Sequence, residues 1–239
     1  MTLLRVDGLS TRFGGLWANR DISFEVEQGA LLGLIGPNGA GKSTLFASIA
    51  GALRPTSGRL FFDGREVTGW APHEATRAGV GRTFQLMRVF SSMTVLENLT
   101  TAAYVRHRSS TAARRQAERV VDLIGLAPVA QAPAAGLTAA WKKRLEMGRA
   151  LATEPRLILL DEVLSGLTPT EANEAVEIVR QINAGGVTIV MVEHVMEVIM
   201  PLCDRLVVLH YGQKIAEGVP ADVMRDATVV EAYLGRAAA

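Results

Sequence analysis

The chain has little cysteine, few aromatic residues and almost no excess charge. Cys203 is the one cysteine among its 239 residues, so no disulfide can form within the chain, which is consistent with a reducing compartment. Aromatic side chains make up 5% of the sequence. The 25 basic and 24 acidic residues leave a formal net charge of +1. This balance does not indicate a broad basic face, so we expect no nucleic-acid partner.

Long apolar runs are also absent. No stretch approaches the roughly 20 apolar residues that a membrane-spanning helix needs. The first residues lack the basic stretch and apolar core of a signal peptide. If the protein works at a membrane, we therefore expect another chain to span it. A hydrophobic fraction of 49% is typical of a globular protein with one large core, or with a main domain and a smaller companion.

A glycine-rich segment follows the apolar run at 30–35 and precedes a predicted helix. It has the Gly-x-x-x-x-Gly-Lys-Ser pattern of a phosphate-binding loop, in which glycines let the backbone approach an anion and a helix N-terminus favours negative charge. We expect Lys42 to reach the β- and γ-phosphates of a nucleoside triphosphate and the Ser43 hydroxyl to bind Mg²⁺. The predicted binding residues are Gly36, Pro37, Asn38, Gly39, Ala40, Gly41, Lys42, Ser43 and Thr44.

Strand and helix patterns alternate along most of the chain, which predicts an α/β fold with a mainly parallel sheet and helices on both faces. Alternating patterns at 3–9 and 22–26 predict an antiparallel β portion near the N-terminus. The middle third predicts a helical subdomain inserted between two α/β parts. Its predicted helices are 95–104, 111–124 and 142–152, after a loop at 127–140. The other predicted strands are 30–35, 59–62, 80–86, 156–162, 187–192, 205–210 and 214–217, and the other predicted helices are 42–50, 169–182 and two short ones near 221 and 230.

Four polar side chains end or follow predicted strands, and ligands of such a sheet bind beyond the carboxyl ends of its strands. Asp161 suits a Mg²⁺-bound water, and Glu162 could orient and deprotonate an attacking water. His194 could hydrogen-bond the γ-phosphate, and Gln85 could touch both metal and water. Singly, an Asp-Glu pair is also typical of a helix N-cap and a lone histidine of a structural role. All four lie at predicted strand ends, at the sheet edge where the predicted phosphate-binding loop lies, which favours a functional role for them.

The order of these motifs closely resembles that of the ATP-binding subunits of ABC transporters, over essentially the whole chain. Residues 36–44 match the Walker A motif and 157–162 the Walker B motif with its catalytic glutamate. Gln85 matches the Q-loop and His194 the switch histidine. Phe13 could by itself equally fill the core or stack on a purine, and it falls at the adenine-stacking position of this family.

The resemblance implies one ABC ATPase domain over 1–239, with a P-loop NTPase core. Its catalytic part would be 1–84 with 154–239, and its Q-loop and helical subdomain 85–153. Shorter segments resemble the branched-chain amino acid importer branch. They are 12–16, 82–85, 90 with 93–95 and 97–99, 193–194 and 232–235.

That branch implies a protein that binds ATP and Mg²⁺ and drives import of branched-chain amino acids or related small solutes. Two such ATPases lie beneath two integral membrane permease subunits, and a solute-binding protein delivers cargo from outside. The protein would then lie peripherally on the cytoplasmic face of the membrane. Apolar residues at 87–93 could dock to the permease or belong to the core. The alternatives are a regulatory ATP binder with little turnover and a soluble ABC protein of DNA repair or translation, whose usual second ATPase unit or long coiled coil is not evident here.

The signature segment departs from the family pattern Leu-Ser-Gly-Gly-Gln. Residues 137–141 are Leu-Thr-Ala-Ala-Trp, followed by Lys-Lys-Arg. The family presents this segment to the ATP of the partner subunit, which implies roles there for the Thr138 hydroxyl and the Ala140 N–H. Alanine adds a Cβ at a close approach and does not readily adopt a positive φ. We therefore expect a heterodimer with one strong and one weak site. A homodimer, or a lineage that tolerates the variant signature, is the alternative.

Overall fold

The computed structural model describes residues 1–84 and 89–234. The chain forms two compact units, one from residues 1–74 together with residues from 188 onward, and one from residues 75–187. The division expected at 85–153 stays a prediction. In the described ranges, no helix is long and apolar enough to cross a membrane.

The first unit contains an antiparallel sheet built from two hairpins. Strands β1 (Thr2–Phe13) and β2 (Leu16–Glu27) pair with each other, and β4 (Ser57–Phe62) and β5 (Arg65–Glu66) extend the sheet in the order β2-β1-β4-β5. Asp63 and Gly64 both have positive φ, as a two-residue hairpin turn of this kind requires. The predicted antiparallel portion is confirmed, and its strands run longer than their alternating segments.

The same unit contains a set of mainly parallel strands. The buried strand β3 (Leu31–Ile35) lies between β8 (Thr188–Val192) and β9 (Arg205–His210) and is parallel to both. Strand β10 (Gln213–Gly218) pairs antiparallel with β9. Continuous apolar sequences suit strands that are buried on both faces. Because β3 and β8 are parallel, their carboxyl ends lie at the same edge.

In the described residues of the first unit, four helices accompany these strands. They are α1 (Lys42–Ile49), α7 (Met196–Leu202), α8 (Pro220–Val223) and α9 (Ala227–Leu234). We did not predict α7, which has seven residues and contains Pro201. A proline inside a short apolar segment argues against a helix, and here the tertiary structure outweighs that signal.

The second unit joins a parallel strand pair to the predicted helices. Strands β6 (Val80–Arg82) and β7 (Leu157–Asp161) pair in parallel. The helices are α3 (Val95–Ala103), α4 (Ser110–Leu123), α5 (Ala139–Ala152) and α6 (Pro169–Ala184). Thr168 and Glu171 form a reciprocal capping box at the start of α6. The short helix α2 (Pro72–Ala78) was not predicted.

Several other element boundaries also differ from the prediction. Helix α5 begins at residue 139 rather than 142, because the Thr138 hydroxyl accepts a hydrogen bond from Trp141 N at 3.3 Å and caps the helix earlier. Strand β6 ends at Arg82, and strand β7 ends at Asp161. The predicted loop at 127–140 contains two single 3₁₀ turns at Ala127–Val129 and Ala134–Gly136.

Candidate functional site

The predicted phosphate-binding loop connects β3 to α1. Gly36 has a φ of 145°, and a Cβ built there would lie 2.0 Å from the carbonyl oxygen of Leu209 in β9. Gly41 has a φ of 99°, and its Cβ would lie 2.2 Å from the carbonyl oxygen of Ala18 in β2. Both positions therefore require glycine, because backbone from two strands closes around the loop.

Lys42 folds back onto this loop. Its side chain is buried, and Nζ donates hydrogen bonds to Gly36 O at 2.6 Å and Pro37 O at 2.9 Å. Ser43, the next residue along α1, is exposed. The loop thus holds an ammonium group beside a helix N-terminus, where phosphate oxygens can replace the two carbonyls as its partners. Within the loop, Asn38 and Gly39 are exposed, Pro37 and Thr44 are half-buried, and Ala40 is buried.

Residues distant in sequence support the loop, and sequence reasoning missed them. The fully buried Asn19 donates from Nδ2 to Gly41 O at 3.0 Å. In the β9–β10 turn, Gly212 N donates to Ala40 O at 3.1 Å. No signal in the sequence marks Asn19, because it lies outside the predicted strand at 22–26, and its amide needs buried hydrogen-bond partners only because β2 starts at Leu16.

Tyr233 in α9 also contacts the loop. Burial raises the pKa of its phenol, and a hydrogen bond with the backbone of Gly36 acts in the opposite direction. In the sequence, residues 232–235 stand out only for their resemblance to the branched-chain amino acid importer branch. The structure connects Tyr233 of this segment to the first glycine of the loop.

Two further predicted residues lie in the first unit. Phe13 is the last residue of β1 and is 51% exposed, so its ring does not fill the core. His194 is exposed and follows β8 and the buried Glu193. Since β3 and β8 are parallel neighbours, His194 follows the edge from which the phosphate-binding loop departs.

Asp161 and Glu162 lie in the second unit. The Asp161 side chain is 2% exposed, and Arg82 Nη2 lies 3.5 Å from its Oδ2. Its backbone N donates to Thr83 Oγ1 at 2.9 Å. Sequence reasoning placed Arg82 and Thr83 in a strand without giving either a role.

Glu162 has an unusual backbone conformation. Its φ is 52°, which is uncommon for a residue with a side chain. Its carbonyl accepts hydrogen bonds from Lys143 Nζ at 3.0 Å and from Ser165 N at 3.3 Å. The side chain is half-buried at the start of a tight turn.

The structure corrects one argument about the signature segment. Ala140 lies in the first turn of α5 and is not among the residues with positive φ, so alanine causes no conformational strain there. The expectation based on φ was wrong, because a helix N-terminus presents its N–H groups with ordinary helical angles. Thr138, whose hydroxyl caps the helix, is exposed.

The predicted site residues divide between the two units. The loop, Phe13 and His194 belong to the first, and Asp161, Glu162, Thr138 and Ala140 belong to the second. Gln85, with Met87, lies outside the described residues. The predicted convergence of all of them on one nucleotide stays a prediction. Among the residues that the structure describes, no cluster of three or more His, Cys, Asp and Glu side chains could hold a metal ion.

Comparison with known proteins decides the family. A family model described as ABC transporter matches residues 19–165, and one described as branched-chain amino acid ATP-binding cassette transporter matches residues 213–239. The chain is 36% identical over 252 residues to the high-affinity branched-chain amino acid transport ATP-binding protein BraF of Pseudomonas aeruginosa, with 98% of each chain covered. The chain belongs to the ABC transporter family.

Solved ABC cassettes share the fold of this ABC protein. A nucleotide-free cassette superposes with a TM-score of 0.90 at 32% identity, covering 99% of this chain and 100% of that one. A cassette in its ADP conformation gives a TM-score of 0.88 at 32% identity, with the same coverage. The predicted ABC ATPase fold is confirmed, and the protein is a nucleotide-binding ATPase of this family.

Proposed function

We propose that this ABC ATPase hydrolyses ATP to power import of branched-chain amino acids or related small solutes. The loop at 36–44 carries the proposal, since it combines a buried lysine ammonium with two glycines at which no side chain fits. The similarity to a P. aeruginosa protein named for branched-chain amino acid transport supports the cargo class.

The loop would bind the triphosphate through its backbone amides and the start of α1. Lys42 would exchange the carbonyls of Gly36 and Pro37 for phosphate oxygens, which gives the ammonium stronger, charge-assisted partners. Phe13, half-exposed at the tip of β1, would stack on the adenine.

The available donors fit Mg²⁺, a hard cation that prefers oxygen ligands. The exposed Ser43 hydroxyl and the Asp161 carboxylate would hold the ion, together with Gln85. When bound, Mg²⁺ would neutralise charge on the β- and γ-phosphates. The Arg82 side chain, 3.5 Å from Asp161, orients this carboxylate.

Hydrolysis requires a positioned water. Glu162 would orient that water and accept its proton, and His194 would hydrogen-bond the γ-phosphate. The Thr138 hydroxyl and Ala140 N–H of this chain would complete the ATP site of a second ATPase subunit. Because Ala140 has helical φ, its added methyl group, which is buried, is the remaining difference from glycine.

The test compares three variants of the full chain, assembled with its membrane subunits. Lys42→Ala should abolish nucleotide binding. Glu162→Gln should retain binding but lower turnover by about 10²–10⁴. Glu118→Gln changes an exposed surface carboxylate and should behave as wild type. Wild-type turnover in Glu162→Gln would refute the assignment of the base, and unchanged binding in Lys42→Ala would refute the site.

The membrane partners would dock on the second unit. Phe90 is 43% exposed and Met93 is 36% exposed, and the Arg149 guanidinium lies 4.6 Å from the Phe90 ring. This apolar surface supports docking to the two permease subunits. The ATPase would then lie on the cytoplasmic face of the membrane, and a solute-binding protein would act on its outer side. Crosslinking from a cysteine introduced at Met93 should capture a permease subunit, and capture of none would contradict this placement.

The variant signature supports a heterodimer with one strong and one weak ATP site. Trp141 replaces a small amide at the start of α5, and loss of a single oxyanion-type donor costs about 10²–10³ in rate. We expect low turnover from the chain alone, higher turnover with a partner ATPase, and recovery in the double variant Ala140→Gly, Trp141→Gln. Robust turnover by the lone wild-type homodimer would count against it. Absence of phosphate release from the assembled complex would favour a regulatory ATP binder instead.

A further inference from the structure

The turn that follows the Walker B strand is tied to helix α5 by one lysine. Lys143 Nζ donates to Glu162 O at 3.0 Å, and it also donates to Ser165 O. The same turn is closed by Ser165 N, which donates to Glu162 O at 3.3 Å. One ammonium therefore binds the backbone carbonyls at both ends of the Glu162–Ser165 turn.

The hydrogen bonds from Lys143 hold Glu162, whose backbone is strained by a positive φ. A positive φ is unfavourable for a residue with a Cβ and persists only where the surroundings enforce it. Val163 and Leu164, which follow Glu162, are 5% and 3% exposed and anchor the turn in the core. Their burial fixes the middle of the turn, and Lys143 fixes its two ends.

The neighbouring basic residues of α5 contact other groups. Lys142 Nζ donates to Ala135 O at 3.1 Å, and Arg144 pairs with Glu174. Successive residues of a helix point about 100° apart, so three consecutive cations reach three different places. The chain therefore contains a matched control, because Lys142 carries the same side chain one position away.

We propose that Lys143 is a positioning residue for Glu162, holding its backbone in the conformation that aims the carboxylate at the attacking water. The inference depends on the proposed role of Glu162 as base. Lys143 touches neither the nucleotide nor the water in this proposal. Its effect is exerted through the two carbonyls, so it should alter turnover and leave nucleotide affinity unchanged.

The test measures turnover and nucleotide affinity in the assembled complex. Lys143→Met keeps the length of the side chain but removes its donors, and we expect the kcat to fall by about tenfold to a hundredfold, the cost of a misplacement near 1 Å. The Kd for a fluorescent ATP analogue should change less than about twofold. Lys143→Arg retains charge and donors and should recover part of the rate, and Lys142→Met should behave as wild type. If Lys143→Met does not fold, Lys143→Gln, which removes the charge but keeps an amide donor group, replaces it.

A double-variant cycle separates positioning from a general structural role. If Lys143 acts through the Glu162 carboxylate, adding Lys143→Met to Glu162→Gln should lower single-turnover hydrolysis no further. A further loss equal to that of Lys143→Met alone would overturn the inference, as would wild-type kcat in Lys143→Met or an equal loss in Lys142→Met. Wild-type kcat in Glu162→Gln would instead refute the proposed base, so the two failures are distinguishable.

Discussion

Replacing Gly36 by alanine tests how tightly the phosphate-binding loop is enclosed. The new Cβ would lie 2.0 Å from Leu209 O, whereas real Cβ atoms essentially never approach within 3.0 Å. Either the loop or β9 must therefore move by at least about 1 Å. The positive φ costs about 1–3 kcal/mol and the overlap about 1–3 kcal/mol more. Gly39→Ala is the matched control, because Gly39 also has a positive φ but no atom within 4 Å of its Cβ.

We expect Gly39→Ala to be destabilised only by its positive φ, because no atom overlaps its new Cβ. Urea unfolding measures the free energy, and titration with a fluorescent ATP analogue measures the Kd. A loop displaced by about 1 Å loses at least one charge-assisted hydrogen bond to phosphate, so the Kd of Gly36→Ala should rise about tenfold or more. The reasoning fails if Gly36→Ala is as stable as Gly39→Ala and binds nucleotide equally well.

Three further predictions concern the second unit and the one cysteine. Thr83→Val keeps the side-chain shape but removes the buried acceptor of Asp161 N, and should lower the free energy of unfolding by about 1–3 kcal/mol in urea titrations, with Thr83→Ser losing less; an unchanged value would contradict it. Burial raises the pKa of the Cys203 thiol to about 12, so a thiol reagent at pH 8 should label the native protein slowly and the unfolded protein quickly, and rapid native labelling would be against this. Hydrogen bonds from Thr168 lower the pKa of Glu171, so this carboxylate stabilises the fold above its unfolded pKa and loses that effect as pH falls through its folded pKa. Wild type should therefore exceed Glu171→Gln in stability at pH 7, and a gap that stays constant at acidic pH would refute the capping role.

Most of the fold could be predicted from local patterns. The capping box of Thr168 and Glu171 and the hairpin turn at Asp63 and Gly64 depend on residues within three positions of each other, so their chemistry is visible in the sequence. Helix α7, which contains Pro201, was not predicted, because its helical state depends on packing that outweighs the tendency of a proline to break a helix. The early start of α5 was missed because Thr138 was considered only for its role toward a partner.

The candidate site shows the same difference between what local sequence patterns and what long-range contacts determine. The sequence by itself determined the phosphate-binding loop and the polar residues at strand ends, because both follow from short patterns and the rule that ligands bind at the carboxyl edge of a parallel sheet. Only the tertiary structure decided what supports them. Arg82 meets Asp161 across 79 positions, and Lys143 meets the Glu162 carbonyl across 19. Local rules act over a few residues, whereas these contacts form only when folding brings strand ends and a helix face together. That is why the reacting groups could be named from the sequence, and the groups that hold them could not.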